Sequence, residues 1–251
     1  MRGKKLSAKT RAWKHSGTIL ALLLSGLLVN LPLSGAVGCD LNDPARDIKM
    51  LFPQSTGFRT FYVSVADSGG QKLLGKIENR LGDRFSGLFE TIDVPYTVYE
   101  IYKNNELIGF VHGVNQKGRY GGIQVFLALT PSGEILSFYV QKFTGRGARE
   151  FRSPQFSAQF VGLKLQDFDN YQVQSRQEIP PGPISRVKNP VPDSEDDFRA
   201  ILRAVKKNLV LMKFLVFNRQ KPGEKSPIPT AVLSGPFPGP GSPALIEGES
   251  I

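Results

Sequence analysis

The sequence predicts an α+β fold: an antiparallel sheet of about four or five strands, helices packed on it, and a long C-terminal helix. Three observations carry that prediction. Four β-rich segments, 96–103, 107–114, 123–130 and 135–143, follow one another with only tight turns between them, as in an antiparallel meander. A further segment, 58–66, alternates apolar and polar residues at the strand period. Phe198, Ile201, Leu202, Val205 and Leu209 fall on one helical stripe.

The elements follow in order. Asp43-Pro44 places an N-cap before a proline at the first helical position, which opens a short helix to about Leu51. After the alternating segment, Ser68 can cap a helix over 70–81, where Leu73, Leu74, Ile77 and Leu81 share a face. Asn104-Asn105, the glycine-rich run from Gly118 to Gly122, and Pro131-Ser132-Gly133 are turns by composition. Ser153-Pro154 starts a short helix through Val161. Residues 162–193 are irregular and proline-rich. Ser194-Glu195-Asp196-Asp197 then caps the long helix, which runs to about Phe217, with acids suited to the positive helix end.

Both ends read as something other than fold. Six basic residues lie in the first fourteen, no acid precedes Asp40, and an apolar run of about a dozen residues leads to Ser34-Gly35-Ala36-Val37-Gly38-Cys39. That order is an export signal over 1–38, and its apolar run is short of the ~20 residues that span a bilayer. Ala36-Val37-Gly38-Cys39 resembles a bacterial lipoprotein box, with Ala36 where the pattern usually has Leu. The resemblance implies cleavage before Cys39 and acylation of that residue, a membrane anchor at the periplasmic or other extracytoplasmic face. A secreted chain and a retained anchor helix are the alternatives. Residues 39–49 would then form a lipid-anchored linker and short helix. Residues 220–251, rich in Pro and Gly, read as a disordered tail.

The chain has 251 residues and a formal charge of +10, which invites a nucleic-acid reading. Removing 1–38 takes away six basic residues and no acid, and the formal charge falls to +4. The surplus was mostly address, so no nucleic-acid partner is expected. One cysteine excludes an internal disulfide framework and any multi-cysteine metal site, two histidines leave little material for a His-based one, and no metal is expected. No Walker loop, dinucleotide fingerprint or nucleophile elbow occurs. His112, mid-strand, reads as structural, and no catalytic residue is assigned. Glu90 and Asp93 could pair, and a solvated loop explains them equally well.

Two glycine-rich turns stand at the open end of one hairpin: Gly118-Arg119-Tyr120-Gly121-Gly122 and Thr144-Gly145-Arg146-Gly147. Glycines let backbone amides approach a flat or anionic ligand, Tyr120 could stack on a ring, and Arg119, Lys142, Arg146, Arg149 and Arg152 supply cations. Two ordinary loops with solvated basic residues are the plainer reading. These turns, the hairpin between them and the order of the following helices resemble the FMN-binding domain of the G subunit of the Rnf complex and the C subunit of the sodium-pumping NADH:quinone oxidoreductase. The resemblance covers roughly 96–211 and makes 50–219 one FMN-binding-like domain. It implies cofactor contacts from Tyr120, Gly121, Gly122, Thr144, Gly145 and Gly147, and a role as an electron carrier with an unknown redox partner. The family attaches FMN to a threonine in Ser/Thr-Gly-Ala-Thr, where this chain has Val191-Pro192-Asp193-Ser194-Glu195-Asp196-Asp197. Any FMN is therefore expected to be non-covalent. The alternative is a flavin-free envelope lipoprotein that uses the fold as an interaction module, or as a binding module for another small ligand.

Overall fold

A computed structural model describes residues 39–87 and 90–219. The expected export signal over 1–38 and the expected tail over 220–251 lie outside the described residues. The predicted α+β architecture is present. Strands β1 (Gly57–Val63), β2 (Tyr96–Lys103), β3 (Glu106–Lys117), β4 (Gly122–Leu129) and β5 (Ile135–Lys142) form one antiparallel meander in the order β1-β2-β3-β4-β5. β3 and β4 are its centre, paired from Phe110↔Leu129 to Lys117↔Gly122.

Helix α1 (Pro44–Leu51) starts as predicted, with the Asp43 carboxylate accepting from the Arg46 N–H at 3.1 Å. Helix α2 (Val65–Leu81) starts earlier than predicted. Ser64, not Ser68, caps it, and Gly69 and Gly70 break it with φ of 154° and 55°. The expected helix over 70–81 is the part beyond that break. Helix α3 (Pro154–Ala158) is capped by Ser153, whose hydroxyl accepts from the Phe156 N–H. The irregular stretch holds a small ladder, β6 (Tyr171–Gln172) with β7 (Gln177–Glu178). Helix α4 (Glu195–Leu215) is the long C-terminal helix. Its predicted side-chain cap is absent, because the Ser194 hydroxyl donates to the Arg146 carbonyl at 3.2 Å instead.

The sheet is covered on both faces. Helices α2 and α4 bury Phe110, Val114, Val125 and Leu127 on one side. On the other, Cys39, Leu41, Ile48 and Phe52 pack on Tyr99, Ile101, Val111 and Phe126. Two β3 glycines make the second layer tight. A Cβ on Gly109 would stand 2.7 Å from the Phe52 ring, and one on Gly113 would stand 2.4 Å from the Phe126 ring. Past β5 a run of rings fixes the chain. Phe138 stacks on Phe160 at 4.4 Å, and Phe156 meets Phe138, Phe151 and Phe198 edge-on. Fully buried rings of this kind are each worth about 1.5–3 kcal/mol or more in burial. They hold the loop after β5 against the start of α4.

Candidate functional site

The two glycine turns do come together. The β3–β4 turn and the loop after β5 approach until a Cβ on Gly121 would lie 3.4 Å from the Thr144 hydroxyl. Gly121 itself has φ 146°, a region that favours glycine. What lies between the turns is protein. Asp197, in the first turn of α4 and wholly buried, accepts the Arg119 N–H on Oδ1 at 2.7 Å. That oxygen would be 2.6 Å from a Cβ on Gly118, and Oδ2 would be 3.1 Å from one on Gly145. Gly145 also lies against the Phe143 ring, and Gly147 against Val191, where a Cβ would meet Cγ2 at 2.4 Å. The Gly118 N–H donates to the Gly121 carbonyl at 2.7 Å. The smallness of these glycines thus admits the chain's own side chains, and two of the turn amides are already bonded. The Asp197 side chain takes the Arg119 amide on which an anionic cofactor would draw. The residues between the turns do not fit FMN.

Of the predicted contacts, Tyr120 points away from this junction, 61% exposed, with the Arg119 guanidinium 5.4 Å from its ring centroid. The expected ring of cations is dispersed. Arg152 donates to the Val140 and Phe143 carbonyls, and Arg146 faces Asp193 at 3.8 Å. Only Arg119 reaches a cleft of about 450 Å³ between the β3–β4 turn, α4 and the segment after β6. There Lys117, Arg119, Arg176, Arg199 and Arg203 face two carboxylates, Asp83 and Asp196. Arg176 pairs with Asp196 at 2.8 Å and Arg199 with Glu195 at 2.6 Å. Arg203 is the saturated floor, bonded to Asp83, Glu90, Gln116 and the Arg84 carbonyl at 2.7–3.2 Å. Among the described residues, the Lys117 amine and the Arg119 guanidinium have no carboxylate partner.

Beneath the cleft lies a buried ionic network that composition did not reveal. Glu90, for which pairing with Asp93 and a solvated loop were the two readings, has a side chain only 1% exposed and pairs with Arg203 and Lys207. It accepts from Arg203, from the Lys207 amine at 2.5 Å and from the Gly87 N–H at 2.5 Å. Burial pushes the Glu90 carboxyl up, but the bonds and charges of Arg203 and Lys207 outweigh it and hold it below its ordinary value. Burial draws the Lys207 amine down to about 8 despite Glu90. Beside it on β3, facing Asn208, the residue after Lys207, His112 is buried as expected of a structural histidine. Its Nδ1 is 3.0 Å from Asn208 Oδ1, while Asn208 Nδ2 donates to the His112 carbonyl. That pair makes Nδ1 the protonated nitrogen and leaves Nε2, buried without a partner, a bare lone pair. Burial keeps the ring neutral, with its pKa lowered to about 4.

Cys39 is buried against the sheet, and burial pushes its thiol up to about 12. The residues after it are held: Gln141 bonds the Asp40 carbonyl and the Asn42 N–H. Among the described residues no cluster of His, Cys, Asp or Glu could hold a metal ion, and no helix is long and apolar enough to cross a membrane.

No protein-family model and no curated protein matches the chain. Among solved structures it is similar to NqrC of Shewanella oneidensis. The match has 18% identity and a TM-score of 0.45, and covers 69% of this chain and 86% of that one. At that level neither family nor cofactor follows from the likeness.

Proposed function

We propose that the chain is an exported, membrane-anchored protein whose folded domain is a flavin-free binding module rather than an electron carrier. The observation that carries this reading is the junction of the two glycine turns. Asp197, Phe143 and Val191 occupy the approaches to Gly118, Gly145 and Gly147, and the turn amides of Gly118 and Arg119 are bonded within the protein. A flavin ring there would have to displace a buried carboxylate and leave its hydrogen-bond donor unmet, at a cost of about 1–3 kcal/mol for that donor alone. Neither the cysteine nor the described histidine is placed to act as a nucleophile. The single thiol is buried and protonated, and His112 is walled in between Tyr96 and Asn208.

Export and anchoring rest on the basic, apolar and small-residue order before Cys39. Acylation of Cys39 would withdraw its side chain from the sheet, and the tether would end at Asp40, whose carbonyl Gln141 holds. The domain would then ride close to the lipid headgroups. The test is to purify the full chain from membranes in detergent, record its visible spectrum, and titrate FMN while following the ring absorption. A colourless protein that leaves the FMN ring spectrum unshifted is expected. A yellow protein, or a saturable shift of the ring bands, would overturn the reading. Globomycin sensitivity and an acylated Cys39 by mass spectrometry are expected for the anchor, and an unacylated soluble chain would refute it.

A further inference from the structure

The geometry points to the cleft between the β3–β4 turn and α4 as a binding site for a small inorganic polyphosphate such as pyrophosphate. This rests on the binding-module reading and names its ligand class. The cleft's volume of about 450 Å³ lies in the range of small-ligand sites, and five of its lining residues are Lys or Arg, beside Asp83 and Asp196.

The charge arrangement is specific. Arg203 is spent on protein partners and fixes the floor. Lys117 and Arg119 come from the end of β3 and its turn; among the described residues neither the Lys117 amine nor the Arg119 guanidinium has a carboxylate partner, and the latter lies 5.4 Å from the Tyr120 ring centroid. Arg176 comes from the opposite wall, in the turn between β6 and β7. It holds φ 62°, a left-handed conformation that a non-glycine residue adopts only when its surroundings fix it. Its N–H donates to the Gln172 carbonyl at 2.7 Å, and its own carbonyl accepts from the Arg199 guanidinium, so the strained turn is pinned to α4. Cations converging from two walls on one open volume match a tetrahedral anion with several oxygens. A single planar carboxylate satisfies one fork only. Asp196, half-exposed and paired with Arg176, is the internal competitor that a phosphate would replace.

The test is isothermal titration of the full-length chain in detergent with pyrophosphate, and with citrate as the carboxylate probe. Saturable pyrophosphate binding that weakens with added salt is expected, with citrate clearly weaker. Lys117→Ala with Arg119→Ala should weaken pyrophosphate binding about tenfold or more, the loss of two charge-assisted contacts. Asp196→Asn should strengthen it several-fold, because it removes the competitor and keeps the fold. No saturable pyrophosphate binding, citrate binding as tight as pyrophosphate, or variants equal to the parent would overturn the assignment. A shift of the FMN ring spectrum would instead overturn the flavin-free reading, and it leaves the pyrophosphate result to stand or fall by itself.

Discussion

Replacing Glu90 with alanine should be among the most damaging single changes to this domain. The Glu90 carboxylate, 1% exposed, is the common acceptor for Arg203 from one side and Lys207 from the other, and it also takes the Gly87 N–H. The Lys207 side chain is 2% exposed and keeps only the Asn115 carbonyl when Glu90 is gone. Breaking a buried pair from one side costs about 3–5 kcal/mol, because the remaining charge has no water to return to. In a domain of this size that lowers the midpoint of thermal unfolding by roughly 10 °C. Lys207→Met should cost less, about 1–3 kcal/mol, since Arg203 still neutralises Glu90. The double variant Glu90→Gln with Lys207→Met should be more stable than the sum of its parts, because each change removes the partner the other would strand. The sign of the pH effect follows from the lowered carboxyl. Its stabilisation is present above its ordinary value of 4.5 and is lost as pH falls through the lower folded value. Glu90→Gln should flatten stability in that acid window. Urea unfolding of the full chain in detergent measures all of this. A Glu90→Ala cost below about 1 kcal/mol would refute the reasoning, for it would mean the carboxylate is solvated.

Three further outcomes follow from the same geometry. His112 binds its proton at about 4 in the fold and 6.5 when unfolded, so stability is lost as pH falls between those values, by roughly 3 kcal/mol in all. His112→Gln should remove that slope, and an unchanged pH profile would contradict the burial. Gly147→Ala should destabilise the domain by about 1–3 kcal/mol in thermal melts, since φ is 82° and Val191 stands 2.4 Å from the new Cβ. A neutral effect would mean that Val191 does not fill that space. Asp197→Ala should cost about 1–3 kcal/mol through the stranded Arg119 N–H while Asp197→Asn, which keeps an acceptor, costs less. Equal costs would deny the bond.

The sheet was legible because its strands alternate or run apolar between turns of distinct chemistry, and the long helix because Phe198, Ile201, Leu202, Val205 and Leu209 keep one stripe. The second layer was not. Along β3 residues of both parities are buried, and Gly109 and Gly113 leave gaps that only the positions of Phe52 and Phe126 explain. Side-chain type misleads at Glu90, Lys206 and Lys207, which belong to classes that normally face water. The available signal was that α4 around Lys207 has no polar face: Val205, Asn208, Leu209, Val210, Leu211 and Met212 surround it and all are buried. The glycine turns were located correctly as neighbours, yet glycine does not say whether its space admits a ligand or a neighbouring side chain. Here Asp197, 78 residues from Arg119 in sequence, decides that. Arg176 joined Lys117 and Arg119 only through a two-residue ladder too short to show a period.

The most direct measurement is the FMN titration of the full chain in detergent, followed by ring absorption. The account predicts no visible chromophore in the purified protein and no change in the FMN ring bands at any protein concentration, with Tyr120→Ala indistinguishable from the parent. A saturable shift of those bands that Tyr120→Ala or Gly121→Ala weakens would place a flavin at the glycine turns and contradict it.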